Sequence, residues 1–293
     1  MNNQNNKTSA IPVPKLPKRC EIELALSCNL KCVYCPRHHI EESIGVMGFE
    51  LFRKIIDELT PYPDTILVLH RRGESLMHPR FNDCMDYLQG KFKTLQMATN
   101  ATMLSPEKSQ KIIDTLSFIS FSLDDPIHFN ETRLPAKYEK VEKKILKFLE
   151  MNQGKVQTQV SMVATDQTKQ ESKDLFVSLW KDKVDRIRIY EEHSKEGVFG
   201  ALSRERPNRV PCVMPFYEVQ IFYNGEVHRC NHDWDGPSLG DVNNNTIEEV
   251  WHNAFYKDLR EQHQSLCITD SVCSKCDSWY PAEGQQMTGD VFE

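Results

Sequence analysis

Ten cysteines are the residues of this 293-residue sequence with the clearest chemical potential, and eight of them lie in two groups. The first group, Cys28, Cys32 and Cys35, has the spacing Cys-x3-Cys-x2-Cys. Thiolates are soft ligands that suit zinc, copper(I) and iron–sulfur clusters. A structural zinc site takes four ligands, whereas a four-iron cluster held by three cysteines leaves one iron open to another molecule. The first group therefore favours an iron–sulfur cluster with an open iron.

The second group lies towards the C-terminus and contains five cysteines: Cys212, Cys230, Cys267, Cys273 and Cys276. Asn224-Gly225 between two strand-like segments predicts a β-hairpin, which brings Cys212 and Cys230 together. Cys273 and Cys276 form a Cys-x2-Cys knuckle, so hairpin and knuckle offer a closed site with four ligands. Zinc ribbons use similar parts, and the spacing by itself leaves zinc and an iron–sulfur cluster both open.

The chain between the two groups alternates between strand and helix patterns. Six strand-like segments are predicted, at residues 19–27, 65–70, 94–99, 118–123, 156–164 and 184–190. Segments between them, such as 49–59 and 138–151, repeat apolar residues at helical spacing. Strands that alternate with helices predict an α/β fold with a parallel sheet and right-handed crossovers. We expect an open, partial (β/α)6 barrel of the TIM type, followed by a small C-terminal extension of a β-hairpin and helix.

Polar residues follow several of the predicted strands, at the end where such folds bind ligands. They are Cys28, Glu74, Asn100, Ser122 and His193. The carboxyl ends of parallel strands meet at one edge of a sheet, so these side chains are expected on one rim.

Composition narrows the class of protein. The sequence has 36 Lys and Arg and 42 Asp and Glu, which gives a net charge of −6. A net negative charge does not favour binding to nucleic acid or to an anionic membrane. No apolar run approaches a membrane span, and the Asn-rich start lacks the apolar core of a signal peptide, so a cytoplasmic location is expected. A secreted disulfide scaffold would be shorter and denser in cysteine.

The sequence is predicted to divide into three parts. These are a flexible arm at 1–18, a barrel at 19–205 and the extension at 206–293.

At its first cysteine group the sequence resembles the radical S-adenosylmethionine (SAM) enzymes, whose hallmark is this triplet with an aromatic residue before the last cysteine. Three further stretches fit that family: Gly73-Glu74-Ser75 with serine in place of the usual proline, the Thr99-Asn100 turn, and Ser122-Leu123-Asp124 followed by Arg133. The resemblance implies that Cys28, Cys32 and Cys35 hold a catalytic [4Fe–4S] cluster. It also implies SAM contacts from Tyr34, Gly73, Glu74, Asn100, Ser122 and Arg133. Of these, Gly73 and Glu74 would meet the amino group, and Ser122 and Arg133 the carboxylate.

The second group resembles the SPASM/Twitch extension of the same enzymes, which carries auxiliary [4Fe–4S] clusters. The likeness lies in Gly-x4-Cys at residues 225–230, Leu-Gly-Asp-Val at 239–242 and the final knuckle. Five cysteines are fewer than a full SPASM module has, so the shorter Twitch form with one auxiliary cluster fits better. The resemblance implies Cys212, Cys230, Cys273 and Cys276 as its ligands. It leaves Cys20, Cys84 and Cys267 without a role.

Together these features predict an oxidoreductase. A fully ligated auxiliary cluster has no open iron, so its expected task is to accept an electron. After a 5′-deoxyadenosyl radical removes a carbinol hydrogen, loss of a proton and of that electron yields a ketone. The resemblance to Twitch-type dehydrogenases of aminoglycoside pathways implies a small sugar or aminocyclitol substrate, and a reductant such as flavodoxin or ferredoxin. We expect His193 to take the proton, since imidazole titrates near neutral pH.

Two other functions fit parts of the sequence. A maturase that crosslinks a precursor peptide would use the same clusters, although the 18 residues before the first predicted strand are fewer than a leader-binding domain needs. A non-enzymatic metal or electron-transfer protein would need cysteines, but not a rim with Glu74, Asn100, Ser122 and Arg133.

Overall fold

The computed structural model describes residues 11–41, 44–165, 168–192, 209–276, 279 and 290–292. Its strands are β1 Arg19–Ile22, β2 Lys31–Cys32, β3 Ile66–Val68, β4 Thr94–Thr99, β5 Phe118–Ser122, β6 Arg133–Leu134, β7 Gln157–Ala164, β8 Arg186–Glu191, β9 Glu218–Ile221, β10 Glu226–His228, β11 Gly240–Asp241 and β12 Asp290–Phe292. Its α-helices are α1 Phe49–Leu59, α2 Phe81–Leu88, α3 Pro106–Thr115, α4 Phe129–Thr132, α5 Tyr138–Asn152, α6 Gln170–Trp180, α7 Met214–Tyr217, α8 Ile247–Trp251 and α9 Ala254–Ser265. Short 3-10 helices span Pro36–His39 and Ser75–Met77.

One sheet of ten strands organises the fold, in the order β11-β10-β9-β1-β3-β4-β5-β7-β8-β12. Its central strands β1, β3, β4, β5, β7 and β8 are neighbours in chain order and pair in parallel. This confirms the predicted α/β architecture of a partial barrel. Within the described residues the sheet stays open, with β11 and β12 as its two edges.

The predicted hairpin forms from β9 and β10, which pair antiparallel. Gly225 in its turn has φ +92°, a left-handed conformation that glycine adopts without strain. Strand β9 also pairs in parallel with β1, with Arg19 opposite Glu218. The hairpin is therefore a continuation of the barrel sheet, which sequence patterns did not indicate.

The two faces of the sheet differ in chemistry. Apolar residues that alternate along the strands form one core with the helices, as Cys20 and Ile22 do with Phe52 of α1. The other face carries polar side chains, and we call it the polar face: Arg19, Glu21, Glu23, Gln96, Ser120, Gln159, Ser161, Arg188, Glu218 and Gln220. A parallel sheet covered by helices is usually apolar on both faces, so this polar face marks the side that is available to a ligand.

The N-terminal segment from residue 11 lies against the C-terminal extension. Trp251 donates a hydrogen bond from Nε1 to the carbonyl of Pro14 (3.0 Å), and the His252 ring contacts the carbonyl of Lys15 (2.9 Å). The predicted boundary between residues 205 and 206 falls outside the described residues and stays a prediction. Among the described residues, none of the helices combines the length and the apolar character that a membrane span requires.

Candidate active site

The loop after β1 presents the cysteine triplet, and a two-stranded sheet holds it in place. Strand β2 contains Cys32 and pairs antiparallel with β6, so that Cys32 lies opposite Arg133. Burial raises the pKa of the Cys32 thiol to about 12, although the nearby Arg133 cation lowers it. The Cys28 and Cys35 thiols lie close enough to raise it further. The structure thus brings the three predicted ligands and Arg133 together.

Arg133 occupies the centre of this site and is only 6% exposed. Its Nη1 donates to the Tyr34 hydroxyl (2.7 Å) and to Oδ2 of Asp124 (2.5 Å). Its Nε is buried and has no hydrogen-bond partner among the described residues. A buried donor without a partner is rare, and a carboxylate is the acceptor that a guanidinium prefers. Arg133 therefore offers a buried donor at this rim, and its contact with a SAM carboxylate stays a prediction.

Glu74 lies 3% exposed at the end of the segment after β3. Its carboxylate accepts hydrogen bonds from the Leu76 N–H (3.0 Å), the Thr99 hydroxyl (2.7 Å) and the Asn100 N–H (2.7 Å). Burial raises its pKa, and these three bonds oppose that rise. Glu74 therefore positions the Asn100 turn. Its contact with a SAM amino group stays a prediction.

Asn100 reaches from this turn to the cysteine loop. Its Nδ2 donates to Oδ1 of Asn29 (3.1 Å) and contacts Sγ of Cys28 (3.8 Å). Its Oδ1 accepts from the Thr102 N–H (2.9 Å). Ser122 ends β5 on the same rim and is half-buried. The predicted base, His193, lies outside the described residues.

Gly73 packs directly on the backbone that leads to the cysteines. A Cβ at this position would lie 2.3 Å from the carbonyl oxygen of Ala25 and 2.4 Å from that of Leu26. Backbone atoms cannot move aside cheaply, so glycine is required here for a close approach.

We expect Gly73→Ala to lower the free energy of unfolding by about 1–3 kcal/mol, as overpacked sites do. Urea denaturation measures this change. Gly48→Ala is the matched control, since a Cβ at Gly48 meets nothing within 4 Å. Equal midpoints for the two variants would contradict the close approach.

The second site is a small cavity between the hairpin, α9 and the knuckle. All four predicted auxiliary ligands line it: Cys212, Cys230, Cys273 and Cys276. Cys267 is exposed and does not line the cavity. Tertiary structure thus brings four of the five cysteines together and leaves the fifth on the surface.

Two aspartates and an arginine hold the loops beside this cavity, and of the three only Arg229 lines it. Asp270 accepts hydrogen bonds from the Val272 N–H (3.0 Å) and the Cys273 N–H (2.9 Å), which caps the turn of the knuckle. Arg229 forms ion pairs with Asp270 (2.6 Å) and with Asp233 (2.8 Å). These two ion pairs connect the loop after Cys230 to the knuckle.

The chemistry of the four thiols fits a cationic cluster core. Burial raises the pKa of Cys230 well above its usual value, and the other three thiols raise it further. Burial has the same effect on Cys273. Buried neutral thiols become good ligands when a metal centre displaces their protons.

Several residues of the site were not assigned from the sequence. Asp124 pairs with Arg133 and also accepts the Val163 N–H (2.8 Å), with its own backbone in the left-handed region at φ +60°. Thr99 binds Glu74 through its hydroxyl. Their position in the sequence could have indicated that they belong to the site, since both residues lie at or next to the carboxyl end of a strand.

Comparisons with known proteins agree with this geometry. Residues 212–277 match the SPASM family, described as an iron–sulfur cluster-binding domain. The antilisterial bacteriocin subtilosin biosynthesis protein AlbA of Bacillus subtilis is 33% identical over 113 residues, which are 36% of this chain and 25% of AlbA. The chain therefore spans about a quarter of the length of this curated relative.

Two solved structures share the fold. SuiB of Streptococcus suis bound to its precursor peptide SuiA aligns with a TM-score of 0.70 at 13% identity, over 85% of this chain and 67% of SuiB. BtrN in complex with AdoMet and 2-DOIA aligns with a TM-score of 0.59 at 16% identity, over 90% of this chain and 97% of BtrN.

Residues 212–277 therefore form an iron–sulfur cluster-binding domain of the SPASM family, and the open parallel sheet is the fold that SuiB and BtrN share. The SPASM match and the AdoMet held by BtrN support the [4Fe–4S] clusters and SAM that the motifs predicted.

Proposed function

We propose that this protein is a dehydrogenase that oxidises a carbinol of a small sugar or aminocyclitol to a ketone. When bound, the cofactors would supply the chemistry: one-electron reductive cleavage of SAM would give methionine and a 5′-deoxyadenosyl radical that removes a hydrogen atom from the carbinol carbon, and the auxiliary cluster would accept the electron that remains after the hydroxyl proton leaves. An external reductant such as flavodoxin or ferredoxin would start each turnover. His193 is the proposed proton acceptor.

The observation that carries this proposal is that four cysteines line one cavity. Four thiolates leave no open iron for a substrate, so the auxiliary site is suited to electron transfer. Arg209 lines the same cavity and donates to the carbonyls of Cys273 and Ser274. A cation beside a cluster stabilises its reduced form, because reduction adds negative charge. The site is therefore electrostatically suited to accept an electron.

The polar face supports a small polar substrate. Glu21 and Glu218 share the Arg19 guanidinium at 2.6 Å and 2.9 Å, and Gln159 donates to the Ser120 hydroxyl (2.8 Å). Hydrogen-bonding groups that line a site recognise hydroxyl and amino groups by direct contact. A polyol matches that chemistry better than an apolar molecule does.

The SAM site is proposed on the rim where Cys28, Asn100 and Arg133 meet. Arg133 binds the carboxylate through its free Nε, and its pairing with Asp124 fixes the plane of the guanidinium. Gly73, Glu74, Ser122 and Tyr34 complete the proposed contacts. Their polar atoms hold and orient the bound molecule and do not take part in bond breaking.

A peptide-modifying maturase is the second candidate, and two of the similar proteins favour it. AlbA is named for subtilosin biosynthesis, and SuiB was solved with a precursor peptide. BtrN, solved with AdoMet and 2-DOIA, favours the dehydrogenase. Identity to both solved structures is low, so substrate assays must separate the two functions.

Cys273→Ala tests the electron-acceptor role. With 2-deoxy-scyllo-inosamine as the probe substrate and dithionite as reductant, we expect wild-type protein to form a ketone and 5′-deoxyadenosine together. The variant should still release 5′-deoxyadenosine while ketone falls to background, because the electron has no acceptor. Mass spectrometry of both products measures the split.

Cys267→Ala is the matched control, since this exposed cysteine lies outside the cavity and should leave both products unchanged. Undiminished ketone formation by Cys273→Ala would contradict the proposed role. A wild-type protein that makes no ketone but crosslinks a precursor peptide encoded beside its gene would favour the maturase.

A further inference from the structure

Arg71 binds the loop that follows the auxiliary cysteine Cys230. Its Nη2 donates to the carbonyls of Cys230 (3.1 Å) and Asp233 (2.6 Å), and its Nη1 donates to that of Asn231 (3.0 Å). One guanidinium thus collects three carbonyls from four consecutive residues. The planar fork of arginine suits this task, whereas the compact ammonium of lysine could not span it.

Arg72 connects the same loop to the barrel. It forms a two-bond ion pair with Glu23, with Nε and Nη2 each 2.8 Å from a carboxylate oxygen. Its Nη1 donates to the carbonyl of Trp234 (3.0 Å), and its guanidinium lies 3.5 Å from the centroid of the Phe222 ring. The loop after Cys230 is therefore attached to the barrel through two consecutive arginines.

The same short segment also reaches the SAM rim. Three residues after Arg71, Glu74 donates its N–H to the carbonyl of Ser27 (2.9 Å), next to Cys28. Its carboxylate holds the Asn100 N–H. Four residues, 71–74, therefore connect the backbone beside the catalytic cysteines with the backbone of an auxiliary ligand.

The Arg71 charge is not cancelled by a direct ion pair. Glu23 is bound to Arg72, and Glu21 is bound to Arg19. No carboxylate in the described parts of the chain lies at ion-pair distance from Arg71. The groups that interact electrostatically with it are the Glu21 and Glu23 carboxylates, the Arg72 guanidinium and the Cys230 thiol. Arg71 is thus a half-buried cation whose field acts on an auxiliary ligand.

We propose that Arg71 is a positioning residue for the auxiliary cluster, and that its charge raises the reduction potential of that cluster. This inference rests on the proposed function, because it presupposes a cluster on the four cysteines. Reduction adds a negative charge at the cluster, and a nearby cation stabilises the reduced form more than the oxidised form. Hydrogen bonds and local charge are known to set cluster potentials. Arg71 would thereby make the cluster a better electron acceptor.

The test measures the potential in a protein that carries the auxiliary cluster alone. Cys28, Cys32 and Cys35 are replaced by alanine, and the reconstituted parent is titrated anaerobically while its EPR signal is followed. Arg71→Gln removes the charge but keeps an amide donor, and Arg71→Lys keeps the charge but loses the fork. Arg53→Gln is the control, since Arg53 is an exposed residue of α1 paired with Glu50.

We expect all proteins to bind about four irons. In Arg71→Gln the equilibrium constant for reduction of the auxiliary cluster should fall about tenfold. This corresponds to a reduction potential lower by about 59 mV for a one-electron couple. Arg71→Lys should lie closer to the parent than Arg71→Gln does, and Arg53→Gln should equal the parent.

Three outcomes would overturn the inference. These are equal potentials in Arg71→Gln and the parent, an equal fall in Arg71→Gln and Arg71→Lys, and loss of iron from both variants. A parent that binds no iron would instead contradict the proposed function itself, and the inference with it. The two failures are therefore distinguishable without any activity measurement.

Discussion

Cys32→Ala should bind about four irons in place of about eight and should release no 5′-deoxyadenosine from SAM. Cys32 is buried in β2, opposite Arg133, with the Cys28 and Cys35 thiols nearby. Two remaining cysteines cannot hold a four-iron cluster with one open iron, so the reductive step is lost entirely. Iron analysis and chromatography of 5′-deoxyadenosine measure the two effects.

Cys84→Ala is the matched control for this experiment. Cys84 is also buried and also a free thiol, but it packs within the apolar core. We expect its iron content and SAM cleavage to match wild type. If Cys32→Ala kept SAM cleavage at the level of Cys84→Ala, the triplet would not be the catalytic cluster site.

Arg133→Met should weaken SAM binding about 10- to 100-fold, because a hydrogen bond to a charged group contributes about 1.5–3 kcal/mol. The same change leaves Asp124 buried without its partner, which costs about 3–5 kcal/mol of folding free energy. Anaerobic calorimetry measures the affinity for SAM, and urea denaturation measures the stability.

A double variant separates binding from stability. Asp124→Asn removes the unpaired charge and keeps a carbonyl oxygen for the Val163 N–H. Combined with Arg133→Met, it should recover most of the lost stability while SAM binding stays weak. Affinity that recovers together with stability would show that Arg133 acts only on the fold, and would contradict the proposed carboxylate contact.

Features that depend on near neighbours were predictable. The periodicity of 49–59 and 138–151 anticipated α1 and α5, and the six strand patterns anticipated the parallel core of the sheet. The Asn224-Gly225 turn forms as expected, because a left-handed glycine and its two flanking strands are encoded within a few residues. The cysteine spacings defined two groups for the same reason.

Contacts between distant segments were not predictable in this way. Strand β9 joins the barrel by pairing with β1, although about two hundred residues separate them, and no local pattern specifies that register. The exclusion of Cys267 from the second cavity likewise depends on how α9 and the knuckle pack.

The amino-acid sequence by itself determined which residue types could hold clusters and which elements would carry them. The tertiary structure decided which of those residues meet. It placed Arg133 opposite Cys32, and it placed the Arg71 guanidinium within hydrogen-bond distance of the Cys230 carbonyl. The physical reason is that periodicity and turn chemistry act over a few residues. Ion pairs and buried hydrogen bonds depend instead on strand register and packing across the whole chain, where many alternative pairings satisfy the same local patterns.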